Sequence, residues 1–155
     1  MDNFCRQRAV ELIHELGLTD PPVDVEDVAK TCGLEVCYVK RGRGFDGQLI
    51  RERRLIEIWQ DVHPHRRRFT IAHEIGHYVL GHTTVFCSHD ESATGDPRRF
   101  NERQANVFAS ELLMPGTWIR RYCVTLRQDY RVLKQKFNVS DEAMFRRLSE
   151  RTCWG

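Results

Sequence analysis

The segment RRRFTIAHEIGHYVLGH, Arg66 to His82, holds three histidines and a glutamate inside a run that otherwise has the spacing of a core helix. Phe69, Ala72, His73, Gly76, His77 and Leu80 fall on one stripe, and Ile71, Ile75 and Val79 pack another side, which predicts a helix from about Arg66 to Leu80. Such a helix has to seat an anionic Glu74 among apolar neighbours, and that is costly without compensation. His73, Glu74 and His77 spell H-E-x-x-H. Two histidines four positions apart project from one helix face at the separation at which two imidazoles bind one Zn²⁺. Glu74 lies about 100° round the helix from His73, beside a metal rather than on it, where a base acting on a metal-held water belongs.

Zinc hydrolases use a third protein ligand and keep a fourth position open. The arrangement H-E-x-x-H-x-x-G-x-x-H is absent, because positions 80 and 83 are Leu80 and Thr83, with Gly81 and His82 each displaced by one. The alternative is a glutamate from a later helix, and FNERQANVFASELLMP supplies Glu102. Glu102, Ala105, Asn106, Ala109 and Leu113 form one stripe there, a carboxylate and an amide among small and apolar residues, and a metal accounts for burial of that carboxylate. Asn106, one turn on, is placed to accept the second ring N–H of a ligand histidine. The plainer reading of Glu102 is a solvated carboxylate favourable to a helix N-terminus.

The rest of the chain predicts an α+β domain. Apolar spacing gives a helix from about Asn3 to Leu16 with Gly17 as its stop, and Asp24 caps a second helix through about Cys32. LEVCYVK, DGQLIR and RRLIEIWQ read as three short strands in an antiparallel meander behind a Gly-rich turn at Gly42 to Gly47. After the polar loop SHDESATGD, Asp96 and Pro97 open a helix that runs to about Met114, and the remainder is helical with a break at FNVSD, where Ser140 caps the last helix. With 155 residues, 41% of them hydrophobic and 30% charged, the chain fits one soluble globular domain, and no apolar run approaches the roughly 20 residues a bilayer requires. Charges throughout MDNFCRQRAVELIHELG argue against a signal peptide, and six scattered cysteines without a C-x-x-C pair fit free thiols in a reducing compartment, so the expected location is the cytoplasm.

PPVDVEDVA, RRRFTIAHEIGHYVLGH, NERQANVFASELLMP and FNVSDEAMFRRL occur in the order and approximate spacing of the ImmA/IrrE family of zinc metallopeptidases, which the chain resembles over nearly its whole length. The resemblance implies a small zincin-like domain of thermolysin type holding one Zn²⁺ on His73, His77 and Glu102, with Glu74 as the catalytic carboxylate. The position beyond the ligands, often Asp in such sites, is Asn106 here. It further implies an endopeptidase acting on a protein, in several members a helix-turn-helix repressor.

Several features leave options open. His63, His65, His82, His89 and Tyr122 are all conceivable donors to a tetrahedral oxyanion. LIEIW is either an exposed edge to which substrate adds as a strand or a buried central strand. Arg66 to Arg68 suit the first turn of a helix poorly and are expected to precede it and pair with Asp61 or other acids. Residues 121–155 hold eight Lys/Arg against four Asp/Glu, and Arg131, Lys134, Lys136, Arg146, Arg147 and Arg151 surround a helical hairpin cored by Leu133, Phe137, Val139, Met144 and Leu148. That hairpin fits either a DNA-binding helix-turn-helix or, preferably, a helical pair packed on a single 1–155 metallopeptidase domain, with DNA affinity weak at most. A zinc-binding sensor without turnover is the remaining alternative, and the intact Glu74 argues against it.

Overall fold

The computed structural model describes residues 2–40, 45–83, 97–125 and 129–150. The polar loop after α3, Asp96, Cys87, His89, Arg151, Cys153 and most of the Gly-rich turn lie outside the described residues. In chain order the elements are α1 (Asp2–Glu15), α2 (Val25–Thr31), β1 (Glu35–Val39), β2 (Gly47–Ile50), a 3-10 turn (Arg51–Arg53), β3 (Leu55–Trp59), α3 (Pro64–Val79), α4 (Pro97–Leu113), α5 (Gly116–Thr125), α6 (Tyr130–Phe137) and α7 (Asp141–Ser149). The expected caps are in place. The Asp24 carboxylate accepts from the N–H groups of Glu26 and Asp27 at the start of α2, and the Ser140 hydroxyl accepts from Ala143 N–H at the start of α7.

The sheet corrects one expectation. It is mixed rather than an antiparallel meander, with strand order β1-β3-β2. β2 and β3 form the expected antiparallel hairpin, whose tight connection places Arg54 in the left-handed region, but β1 pairs with β3 in parallel, Glu35 opposite Leu55 through Val39 opposite Trp59. The reason is burial. A meander would centre the short, half-exposed β2, whereas β3 buries Leu55, Ile56 and Ile58 and suits the middle position, where both of its edges are hydrogen-bonded and its side chains are covered. LIEIW is therefore the central strand, and among the described residues β1 and β2 form the edges.

α3 lies against β2 and β3 and packs on its other side against α4, with very little between the two helices. Gly76 on α3 lies so close to α4 that a Cβ there would come within 3.0 Å of Phe108 Cδ1 and 3.3 Å of both Cα and O of Ala105. Ile71, Ala72 and Ile75 of α3 and Ala105, Phe108, Ala109 and Leu112 of α4 are fully buried in the same core. α1 covers the other side of α4.

The arginines do not precede α3. The helix begins at Pro64, whose missing N–H costs nothing at the first position, and His63 caps it by accepting from His65 N–H through Nδ1. Arg66 to Arg68 thus lie inside the first turns and leave in three directions. Arg66 pairs with Asp46, Arg67 donates to the Gln60 carbonyl at 2.9 Å and stacks on Tyr38, and Arg68 donates to the Asn138 carbonyl at 3.1 Å. Each offsets its unfavourable place on the helix dipole with a tether to a neighbouring element.

The basic C-terminal face is also partly spent internally. Arg147 is 1% exposed, donates to the Met114 carbonyl at 2.9 Å, and is paired with Glu111 of α4 and Glu150. Lys134 pairs with Asp141 at 2.6 Å and Lys136 with Asp20 at 3.2 Å. Among the described residues, no helix is long and apolar enough to cross a membrane.

The contact at Gly76 generates a prediction. Gly76→Val inserts three carbons into a filled interface between α3 and α4, so it should destabilise the fold by at least about 2 kcal/mol, seen as a lowered melting temperature. An unchanged melting temperature would show that α3 and α4 are free to separate.

Candidate metal centre

α3 offers His73 and His77 from adjacent turns, and the close approach of α4 brings Glu102 across from both. His73 Nε2 and His77 Nε2 are 3.0 Å apart; the Glu102 carboxylate lies 3.1 Å from the first through Oε2 and 3.2 Å from the second through Oε1. One ligand atom from each of the three lies within 4.8 Å of the others. A tetrahedral zinc with bonds of roughly 2.0–2.1 Å separates its ligand atoms by about 3.3 Å, and the two nitrogens, with the carboxylate spanning both through its two oxygens, are spaced on that scale.

The expected burial of Glu102 is not found. Its side chain is 58% exposed, whereas Ala105, Ala109 and Leu113 further along the stripe are buried. The carboxylate stands at the rim of the site, held there by the two imidazoles. Asn106, one turn on, is exposed, and its Oδ1 is 2.9 Å from His73 Nδ1. An Nδ1–H donating to that oxygen leaves Nε2 of His73 free to bind a metal.

Glu74 is buried, 9% exposed, and does not join the cluster of three. Burial pushes its carboxyl above the usual range, opposed by the nearby His73 and His77 charges and by the backbone N–H of Leu49, which donates to it. Leu49 belongs to the edge strand β2, so the carboxylate sits between the histidine helix and the sheet edge.

The other candidate histidines separate by position. His63 is occupied as the cap of α3 and stacks on His65, and the Tyr122 hydroxyl is taken by Asp20. His82 is at the site, with Nδ1 2.9 Å from His77 Nδ1 and Nε2 2.8 Å from Gln104 Oε1. Gly81, at φ +73°, turns the chain there: its N–H bonds to the Tyr78 carbonyl and that of His82 to the His77 carbonyl, closing the helix and folding His82 back onto its last turn. Gly81 directly after an apolar helix was a readable signal for that turn. Gln104 lies off the Glu102–Asn106 stripe, and nothing in the sequence pointed to it. Arg51, equally unforeseen, follows β2, donates to the carbonyls of His77 and Tyr78 at 2.8 and 3.1 Å, and stacks on the Tyr78 ring. Its charge suits the C-terminal end of α3.

Residues 35–149 match the family described as the IrrE N-terminal-like domain. The radiation response metalloprotease IrrE of Deinococcus deserti is 32% identical over 125 residues, which cover 77% of this chain and 44% of that protein. A solved structure of a Mycobacterium tuberculosis transcriptional regulator superposes with a TM-score of 0.72 over 95% of this chain and 46% of its own, at 18% identity, a likeness of fold alone. The chain thus spans less than half the length of either relative.

The protonation of His73 and Glu102 sets a pH dependence. Burial disfavours the charged ring of His73, but its hydrogen bond with Glu102, the charges of Glu74 and Glu102 and the bond with Asn106 outweigh that, so its pKa lies above the ordinary 6.5. Hydrogen bonds from His73 and His77 hold the Glu102 carboxyl far below the usual carboxylate range. A metal has to expel the His73 proton but none from Glu102. Zinc affinity should therefore begin to fall as pH drops through a value above 6.5, with proton release on binding. Calorimetry in buffers of different ionisation enthalpy checks this; zinc binding without proton release at pH 6.5 would contradict it.

Proposed function

Because the chain belongs to the ImmA/IrrE family of metallopeptidases, we propose that it is a zinc-dependent endopeptidase, with His73, His77 and Glu102 as ligands and Glu74 as the catalytic carboxylate. The observation that carries the reading is the convergence of two imidazole nitrogens and one carboxylate, with a second, buried carboxylate beside them. A zinc ion held there supplies Lewis acidity, polarising the scissile carbonyl and making water acidic near neutral pH. Glu74 takes the proton from the attacking water on its carboxylate and hands it to the leaving amine nitrogen. The N–H of Leu49 holds the carboxylate in place. An extended substrate segment adds to the edge of β2, the strand beside Glu74, rather than to β3.

The substrate in this reading is a protein, a helix-turn-helix transcriptional repressor. That choice is supported by the family resemblance. α6 and α7 belong to the same metallopeptidase domain as α3 and α4, in one unit over 1–155. Supporting this, the family match runs to residue 149, and the buried pair of Arg147 with Glu111 joins α7 to the helix that carries Glu102. A cytoplasmic location fits Cys32, Cys37 and Cys123, which are free thiols.

Three outcomes follow. Alanine at His73, His77 or Glu102 should abolish stoichiometric zinc by elemental analysis; full occupancy in Glu102→Ala, with loss instead in an alanine variant of His82 or His89, would remove Glu102 from the ligand set. Glu74→Gln should keep zinc and the fold yet cut a co-expressed repressor at least about 100-fold more slowly. Cleavage at wild-type rate would defeat the mechanism, and relief of repression by both forms without any cleavage would favour the sensor. DNA binding should be weak and salt-sensitive. Tight sequence-specific binding at physiological salt, abolished by reversing the exposed Arg131 and Arg146, would make the hairpin a DNA reader; Arg147 is buried and cannot serve that test.

A further inference from the structure

His77 is held twice by the residue that follows its helix. The His82 backbone N–H bonds to the His77 carbonyl at 3.1 Å, and the His82 ring returns to meet the His77 ring, Nδ1 to Nδ1, at 2.9 Å. The protons along this contact are constrained. His77 Nε2 faces His73 Nε2 at 3.0 Å and the Glu102 carboxylate at 3.2 Å, so it can offer a lone pair to a metal only if the ring proton is on Nδ1. His82 Nδ1 is then the acceptor. Its own proton sits on Nε2, where Gln104 Oε1 waits at 2.8 Å. The reverse arrangement puts a proton on His77 Nε2, where it blocks the metal, and requires the Gln104 amide to turn so that its NH2 donates to His82 Nε2.

We propose that His82 and Gln104 are positioning residues, forming a relay from His77 Nδ1–H through the His82 ring to the Gln104 amide that fixes His77 in its metal-binding tautomer. The inference rests on His73, His77 and Glu102 being the zinc ligands. His73 has the shorter version of the same device, its Nδ1 resting directly on the Asn106 amide at 2.9 Å. One helix, α4, therefore carries a ligand and the two amides on which both ligand histidines depend. Neither chain ends in a carboxylate, so both orient their imidazole without adding a negative charge behind it.

The test is zinc affinity, measured with the purified full chain by competition against a chromophoric chelator, together with the visible spectrum of the Co²⁺-substituted protein. His82→Phe keeps a ring and removes the acceptor; it should weaken zinc by about 10- to 100-fold and shift the Co²⁺ bands, with melting temperature and far-UV circular dichroism unchanged. Gln104→Leu should weaken zinc less, and the double variant should bind no more weakly than His82→Phe, since Gln104 acts only through His82. Additive losses, or wild-type zinc affinity in His82→Phe, would overturn the relay while leaving the ligands in place. Should His82→Phe fail to fold, Gln104→Leu decides alone, and unchanged affinity and spectrum there overturn the proposal. Failure of the wild-type chain to bind zinc would overturn the ligand assignment and the relay with it.

Discussion

The structure depends on how closely α3 and α4 approach. Gly76 has no side chain where Ala105 and Phe108 of α4 press in, and the two helices meet nearly backbone to backbone. At an ordinary interaxial distance, set by larger side chains at the contact, Glu102 would stand too far from both imidazoles to reach them. The fully buried Phe108 and Leu112 supply the apolar area that holds the helices together, while the polar ends of the same two stripes supply the chemistry. One interface is thus core at its centre and candidate metal centre at its rim.

Around that interface the protein fixes the ends of α3. Arg66, Arg67 and Arg68 tie its beginning to the β2 side, to the segment after β3 and to the turn between α6 and α7, and Arg51 with the Gly81 turn closes its end. The buried Arg147–Glu111 pair does the corresponding work for α4, and Glu111 also accepts from the N–H of Gly116 where α5 begins. Arg147 also pairs with Glu150 and Glu111 with Arg6, so the pair is the centre of a small charge network, and removing one member would leave the other buried with fewer partners.

Local signals carried most of the fold. Helix periodicity, the caps at Asp24 and Ser140 and the hairpin between β2 and β3 are properties of short stretches, and the H-E-x-x-H spacing and the Glu102–Asn106 stripe needed only the geometry of a single helix. What escaped depends on distant partners. The parallel pairing of β1 with β3 follows from which strand the helices cover, and the exposure of Glu102 from where α4 emerges from the core. Arg147 looks from sequence like its neighbour Arg146, yet one is buried against Glu111 and the other is paired in solvent with Glu142. His82 was visible as a candidate but its partner was not, because Gln104 meets it only after the chain has folded.

The exposure of Glu102 has a consequence for the life history of the ion. The helices that bring the three donors together are braced by an apolar core and by ion pairs that contain none of those donors, so the bracing of the site does not itself draw on the donors. With one of the three donors at the solvent boundary, a metal held there would enter and depart at the rim of the site, without passing through the core. Occupancy of such a site would be set by exchange with the surrounding pool of available metal, a different situation from that of small zinc modules that acquire their shape only on loading.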